Sequence, residues 1–402
     1  MVALFGRFLR FGLLAWGGPV AQIAMLRREL VEEEGWVSGP RFNRLLAVYQ
    51  VLPGPEAHEL AVHLGMLRGG RLGGLLAGLG FMLPGFVLVL VVAMLYVSID
   101  LGQPAIAAAL LGIQVAVVAL LVRAVDRIAR HILVDPWAWG IAAGAVLATF
   151  ARVPFWIVLP ISGLVYALAP RLLGSSFPAI SARTLIIVFG LGAVIALVIA
   201  LANRPGAEPG ILPPVAGSPV EPTVGATFLS GLKAGLLTFG GAYTAIPFVR
   251  ADAVGGGWIT DAQFLDALAL SGILPTPLIM FAAFVGYLAG GLAGAVAMTL
   301  GIFLPAFSFS LMLGERLEAI VEQPGLHRLL EGVAAGVVGI IGVTAIELAW
   351  ALAGRVPNLA AAAVILVGAT VVLYRWSSRA AVPAVIAVSG ILGWLVFDAL
   401  RP

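Results

Sequence analysis

Cysteine is absent from all 402 positions, which excludes disulfides, thiolate metal sites and thiol nucleophiles. Charge is nearly as scarce. Charged residues make up 11% of the chain, against roughly 25% in a soluble domain. Apolar residues fill 61% of it, and mean hydropathy is +1.08. Such a chain is an integral membrane protein. A pI near 9.6 does not signal nucleic acid, because the net charge is only +3 and the basic residues are scattered at the ends of apolar runs. Arg7 and Arg10 interrupt the first apolar run, so no cleavable signal peptide is expected.

Apolar runs of about 20 residues mark spans. They fall near 3–26, 44–66, 72–97, 102–122, 136–151, 153–170 and 184–202, then near 226–249, 263–289, 291–314, 329–353, 356–374 and 380–398. The expected fold is therefore all-α and polytopic, with about thirteen transmembrane segments. A Pro- and Gly-rich linker at 203–224 separates two modules, 1–202 and 225–402.

The modules repeat one another. Phe5, Arg10, Gly17, Gly18 and Arg27 match Phe228, Lys233, Gly240, Gly241 and Arg250 without a gap. After one deletion, Trp36, Phe42, Leu52, Pro53 and Pro55 match Trp258, Phe264, Leu274, Pro275 and Pro277. Gly69-Gly70, Gly80 and Pro84 match Gly290-Gly291, Gly301 and Pro305, and Gly112 pairs more faintly with Gly332. Seven spans before the second copy would set it upside down, the inverted-repeat plan of many secondary transporters. The Arg distribution over the loops places the N-terminus in the cytoplasm. If the glycine segments are re-entrant, parity changes once in each half and the inversion stands.

Each module carries two helix breaks. The first is Trp16-Gly17-Gly18-Pro19, echoed at Phe239-Gly240-Gly241; the second is Leu52-Pro53-Gly54-Pro55, echoed at Leu274-Pro275-Thr276-Pro277. Gly and Pro weaken a helix by about 1 and 3 kcal/mol, and in hydrocarbon the freed backbone groups must find partners. Half-helix ends present amides and positive dipole ends, which suit an anion; a packing kink is the plainer alternative. The expected substrate site is Gly17, Gly18, Gln22, Pro53, Gly54, Pro55, Gly240, Gly241, Thr244, Pro275, Thr276 and Pro277.

Between the breaks, Phe42, Leu45, Leu46, Tyr49 and Leu52 recur at helical spacing, and Thr260 with Gln263 has capping-box spacing. Both stretches read as short amphipathic helices. The run from Gly69 to Gly80 suits close helix packing rather than a nucleotide loop.

The charged candidates are Arg10, Lys233, Glu56, His58 and Glu347. Arg10 and Lys233 each lie seven residues before a double glycine, on nearly its face, and either draw an anion toward the break or snorkel as anchors. Glu56, His58 and Glu347 are intramembrane ionisable groups, for proton coupling or for ion pairs. His58 and His63 stand about 140° apart around a helix, which argues against a zinc pair, and no cofactor is expected.

The strings Trp-Gly-Gly and Phe-Gly-Gly near a basic residue, Gly-Trp-Val/Ile, Leu-Pro-Gly-Pro-Glu-Ala and Gly-Phe-Met-Leu-Pro-Gly resemble the chromate ion transporter (CHR) family, long two-domain type. The resemblance covers nearly the whole chain. It implies a secondary transporter that exports chromate across the bacterial inner membrane, driven by the proton gradient or by anion exchange, and so confers chromate resistance. His58 stands where the pattern has Gln, and Thr276 where the first copy has Gly. Rival readings are a transporter of sulfate or another anion, an anion channel, and an intramembrane metalloenzyme built on His58 and His63. The partners expected are an oxyanion and the lipid bilayer, with a homodimer left open.

Overall fold

Glycine and proline decide where this chain turns. The structure, a computed structural model, describes residues 1–15, 18–101, 103–172, 222–239, 241–314, 323–376, 378 and 380–399. Gly17, Gly240, the expected span at 184–202 and most of the expected linker lie outside the described residues. Those described form an all-helical fold.

In the first half the helices are α1 (Val2–Leu13), α2 (Gly18–Leu26), α3 (Gly39–Val51), α4 (Glu56–Ser98), α5 (Pro104–Ile132), α6 (Pro136–Phe150) and α7 (Phe155–Leu172). The second half follows the same order with α8 (Val224–Leu236), α9 (Ile246–Ala253), α10 (Asp261–Ile273), α11 (Phe281–Ser308), α12 (Pro324–Ala353), α13 (Leu359–Arg375) and α14 (Ala381–Phe397). A π-helical stretch, Arg27–Glu33, continues α2, and short 3-10 turns at Ala242–Ala245 and Leu278–Met280 lead into α9 and α11.

Polar caps set several starts. Ser38, Asp135, Thr223 and Asn358 accept from the amide three residues on, and Thr260 and Gln263 close the expected capping box.

Four stretches expected as continuous spans are divided, and two of them fold back. Arg10 reaches Glu29 at 3.1 Å, and Arg7 pairs with Glu34. Nineteen residues of straight helix would hold Arg10 and Glu29 about 28 Å apart, so α2 runs back along α1. Lys233 and Asp252 make the matching pair in the second half. The stretches near 44–66 and 263–289 are likewise cut at Pro53-Gly54-Pro55 and Pro275-Thr276-Pro277, because proline removes the amide that would carry the helix on. Among the described residues, four helices are long and apolar enough to cross a membrane: Glu56–Ser98, Pro104–Ile132, Leu278–Met312 and Gly325–Ala353. Shorter apolar helices lie at 136–150, 155–168, 359–375 and 381–397.

Helix α4 is itself a hairpin. Gly70 has φ 61° and Gly291, its counterpart in α11, has φ 59°, a region open to glycine and closed to most other residues. The arms 56–68 and 71–98 then pack so tightly that a Cβ on Gly73 would lie 2.5 Å from the Gly65 carbonyl. In α11 a Cβ on Gly286 would lie 2.6 Å from the Gly294 carbonyl. The Gly69–Gly80 run thus makes the close helix contact its composition suggests. Helix α1 leans on the second arm, where a Cβ on Gly12 would meet the Phe81 carbonyl at 2.5 Å. Gly235 of α8 sits in the same way against Ile302.

The two halves exchange helices. Gly112 of α5 lies against Ser389 and Gly393 of α14, while Gly332 of α12 lies against Ser162 and Gly163 of α7. The faint sequence pairing of Gly112 with Gly332 therefore marks two equivalent crossings. The main apolar core runs through both halves, from Met82 and Val115 to Phe284, Ile302 and Val337.

Candidate functional site

The proline break of the first half meets the second half at its breaks. The Gly54 amide donates to the Thr238 carbonyl at 2.8 Å, joining the proline break of one half to the glycine break of the other. A Cβ on Gly241 would lie 3.7 Å from Glu56 Oε1, and one on Gly85 would lie 3.1 Å from Thr276 Cβ. Side chains within the breaks take up part of the freed backbone. Gln22 donates to the Ala15 carbonyl at 3.1 Å. Thr244 accepts from the Phe239 amide at 3.1 Å and donates to the Gly241 carbonyl at 2.7 Å. Gln22 and Thr244, expected to meet substrate, thus spend hydrogen bonds on holding the breaks open.

A cavity of about 880 Å³ opens from this junction. Gln50 and Glu56 line it from the first half, and Gly241, Tyr243, Ser271 and Thr276 from the second. Its long wall is the C-terminal part of α5, from Val117 to Ile132, including Arg123, Arg127, Arg130 and His131. Just before the lining residues Val117 of α5 and Leu268 of α10 lies a polar cluster. There Asp266 accepts from Tyr96 at 2.8 Å and from Gln114 at 2.7 Å, and Arg355 donates to Gln114 at 3.0 Å.

The arginines on α5 are the feature sequence reasoning missed as a site. Arginine at the end of an apolar run reads first as a loop charge that reports orientation. Positions 123, 127 and 130 recur at i, i+4 and i+7 and so share one face of the helix. That spacing at the end of an apolar run was the available signal. Arg130 is neutralised by Asp126 at 2.9 Å. No carboxylate among the described residues pairs with Arg123 or Arg127. Arg123, half-buried, and Arg127, exposed at the cavity rim, offer forked donors suited to a tetrahedral oxyanion.

The expected site residues distribute unevenly. Glu56, Gly241 and Thr276 line the cavity, and Pro53, Gly54, Pro55, Pro275 and Pro277 form the breaks flanking them. Gly18 opens α2. His58 does not reach the cavity lining. It is wholly buried, with its ring 4.7 Å from those of Phe303 and Phe307. His63 turns elsewhere, with Nδ1 2.8 Å from the Tyr49 hydroxyl.

The long-range cations are placed differently from expectation. Lys233 is buried against Asp252, with Phe155 5.4 Å from its ammonium, and does not line the cavity. An ammonium at that depth needs a carboxylate close by, and Asp252 supplies it. Arg10 pairs with Glu29 and borders a separate cavity of about 390 Å³ with Arg28. Glu347 pairs with Arg250 at 2.6 Å at the surface, so it serves as an ion-pair partner.

Broken helices in two matched sets, with apolar helices long enough to span and a cavity of mixed polar and apolar lining at the junction, define a multi-pass helical membrane protein. The chromate transporter family matches residues 2–168 and again 225–394, and the chain belongs to that family. It is 58% identical over 395 residues to a chromate transport protein of Pseudomonas aeruginosa, covering 98% of this chain and 92% of that one. It is 28% identical over 349 residues to a chromate transport protein of Cupriavidus metallidurans, covering 85% and 81%. No solved structure matches it.

Proposed function

We propose that the protein is a secondary active transporter that exports chromate across the bacterial inner membrane, and that the central cavity is its substrate site. The observation that carries this reading is the pairing of unneutralised Arg123 and Arg127 with the convergent breaks of both halves. Forked guanidinium donors beside the ends of broken helices suit a dianion. Relatives named for chromate transport support the choice of ion.

In this reading the modules 1–202 and 225–402 are inverted repeats joined by the linker 203–224, with the N-terminus in the cytoplasm. The exchange of α5 and α12 between the halves supports a rocking motion about the junction. Alternate opening of the two sides then exports the oxyanion, driven by the electrical part of the proton gradient or by exchange for a counter-anion.

The test is chromate uptake into inverted membrane vesicles, with sulfate as competitor. Concentrative uptake that falls to background when the gradient is collapsed supports the proposal. Flux that only follows the chromate gradient would mark an anion channel instead.

A further inference from the structure

Glu56 faces the same cavity as Arg123 and Arg127, and among the described residues it is the one carboxylate that does so. It is 8% exposed, and no described residue gives it a hydrogen bond or an ion pair. Across the cavity lie Arg123, Arg127, Arg130 and His131 on α5, with Tyr243 from the second half. On its own helix the nearest ionisable groups are Glu59 and His58. Glu59 is fully buried, and neither carboxylate oxygen has a partner. The second module has Leu278 where the first has Glu56, so this acid occurs once.

The charges of the cavity can be counted. Arg130 is cancelled by Asp126. Arg123 and Arg127 leave two positive charges, and an ionised Glu56 removes one. A dianion entering that site would leave a net charge of minus one beside Glu56, which is itself buried. Moving a proton onto the Glu56 carboxylate restores neutrality and frees both guanidiniums for the oxyanion. We propose that Glu56 is a proton-binding site linked to the anion site, competing with the oxyanion for Arg123 and Arg127, so that binding of the dianion carries one proton onto Glu56. This rests on the reading of the cavity as the oxyanion site. The proton comes from solvent through the open cavity, and no bond other than O–H is made.

The experiment measures binding and proton uptake together on the purified full chain in detergent. Selenate is the probe, a tetrahedral dianion that does not itself titrate over the working range. The wild type takes up close to one proton per selenate bound, and its affinity falls about tenfold per pH unit above the titration of the carboxyl. Glu56→Gln still binds selenate, but proton uptake drops to near zero and the affinity flattens with pH. Because His131 also titrates, His131→Gln is measured alongside, and it keeps the wild-type proton count. Unchanged uptake and pH dependence in Glu56→Gln would overturn the proposal. Absence of selenate and chromate binding in the wild type would overturn the cavity assignment itself, and this inference with it.

Discussion

The Gly54 amide donates to the Thr238 carbonyl at 2.8 Å. This one bond ties the proline break of the first half to the glycine break of the second, and it fixes where the cavity can be. Both partners were freed by the residues that stop their own helices, and each satisfies the other.

The close approach at Gly54 carries a prediction. A Cβ there would lie 2.7 Å from Glu59 Oε1, closer than packed atoms tolerate. Gly54→Ala should lower chromate transport while the protein still inserts, with an overpacking cost of about 1–3 kcal/mol. Adding Glu59→Ala should recover part of the activity, because it removes the side-chain obstacle and leaves only the strain of an alanine at φ 152°. Flux per inserted molecule in vesicles checks both variants.

The glycine contact inside the hairpin of α4 should act through stability. In Gly73→Leu the added side chain meets the Gly65 carbonyl, which is backbone and cannot turn aside. Loss of folded, membrane-inserted protein is expected, measured as detergent-extractable yield and melting temperature. A well-folded Gly73→Leu protein would show that the two arms separate readily.

The buried pair Lys233–Asp252 should behave as a structural unit. Lys233→Met alone strands a buried carboxylate and should destabilise by about 3–5 kcal/mol, whereas the double change with Asp252→Leu should restore most of that. Melting curves of the single and double variants decide it. Had Lys233 lined the substrate path, the double variant would fold but bind chromate poorly.

Much of this was legible in the sequence, and the rest was not for physical reasons. The duplicated glycine and proline breaks announced themselves because those residues are poorly tolerated in a lipid-embedded helix. The Thr260–Gln263 cap followed from spacing alone. What spacing could not show was that α1 and α2 fold back on each other, since an apolar run interrupted by Gly-Gly-Pro is as long as one span. The repeat gave Arg10 and Lys233 equal status, yet their partners Glu29 and Asp252 sit nineteen residues on and become neighbours only after the fold-back. Arg123 and Arg127 were hidden because positive charge at the end of a span ordinarily reports orientation.

Those arginines carry the next prediction. Arg123→Gln and Arg127→Gln should each weaken chromate binding by roughly tenfold to a hundredfold, the range expected for losing a hydrogen bond to a charged group. Arg130→Gln should have a smaller effect, because Asp126 already neutralises that side chain. Equilibrium binding to purified protein ranks the three.

The central claim is that the oxyanion rests in the cavity between α5 and the convergent breaks. Chromium scatters anomalously, so a crystal of the chromate-bound protein locates the ion without reference to any variant. The account predicts a single strong anomalous peak within hydrogen-bond reach of the Arg123 and Arg127 guanidiniums, on the side of the cavity that faces Glu56 and Thr276. A peak instead at the smaller cavity beside Arg10 and Arg28, with none at the junction of the breaks, would contradict it.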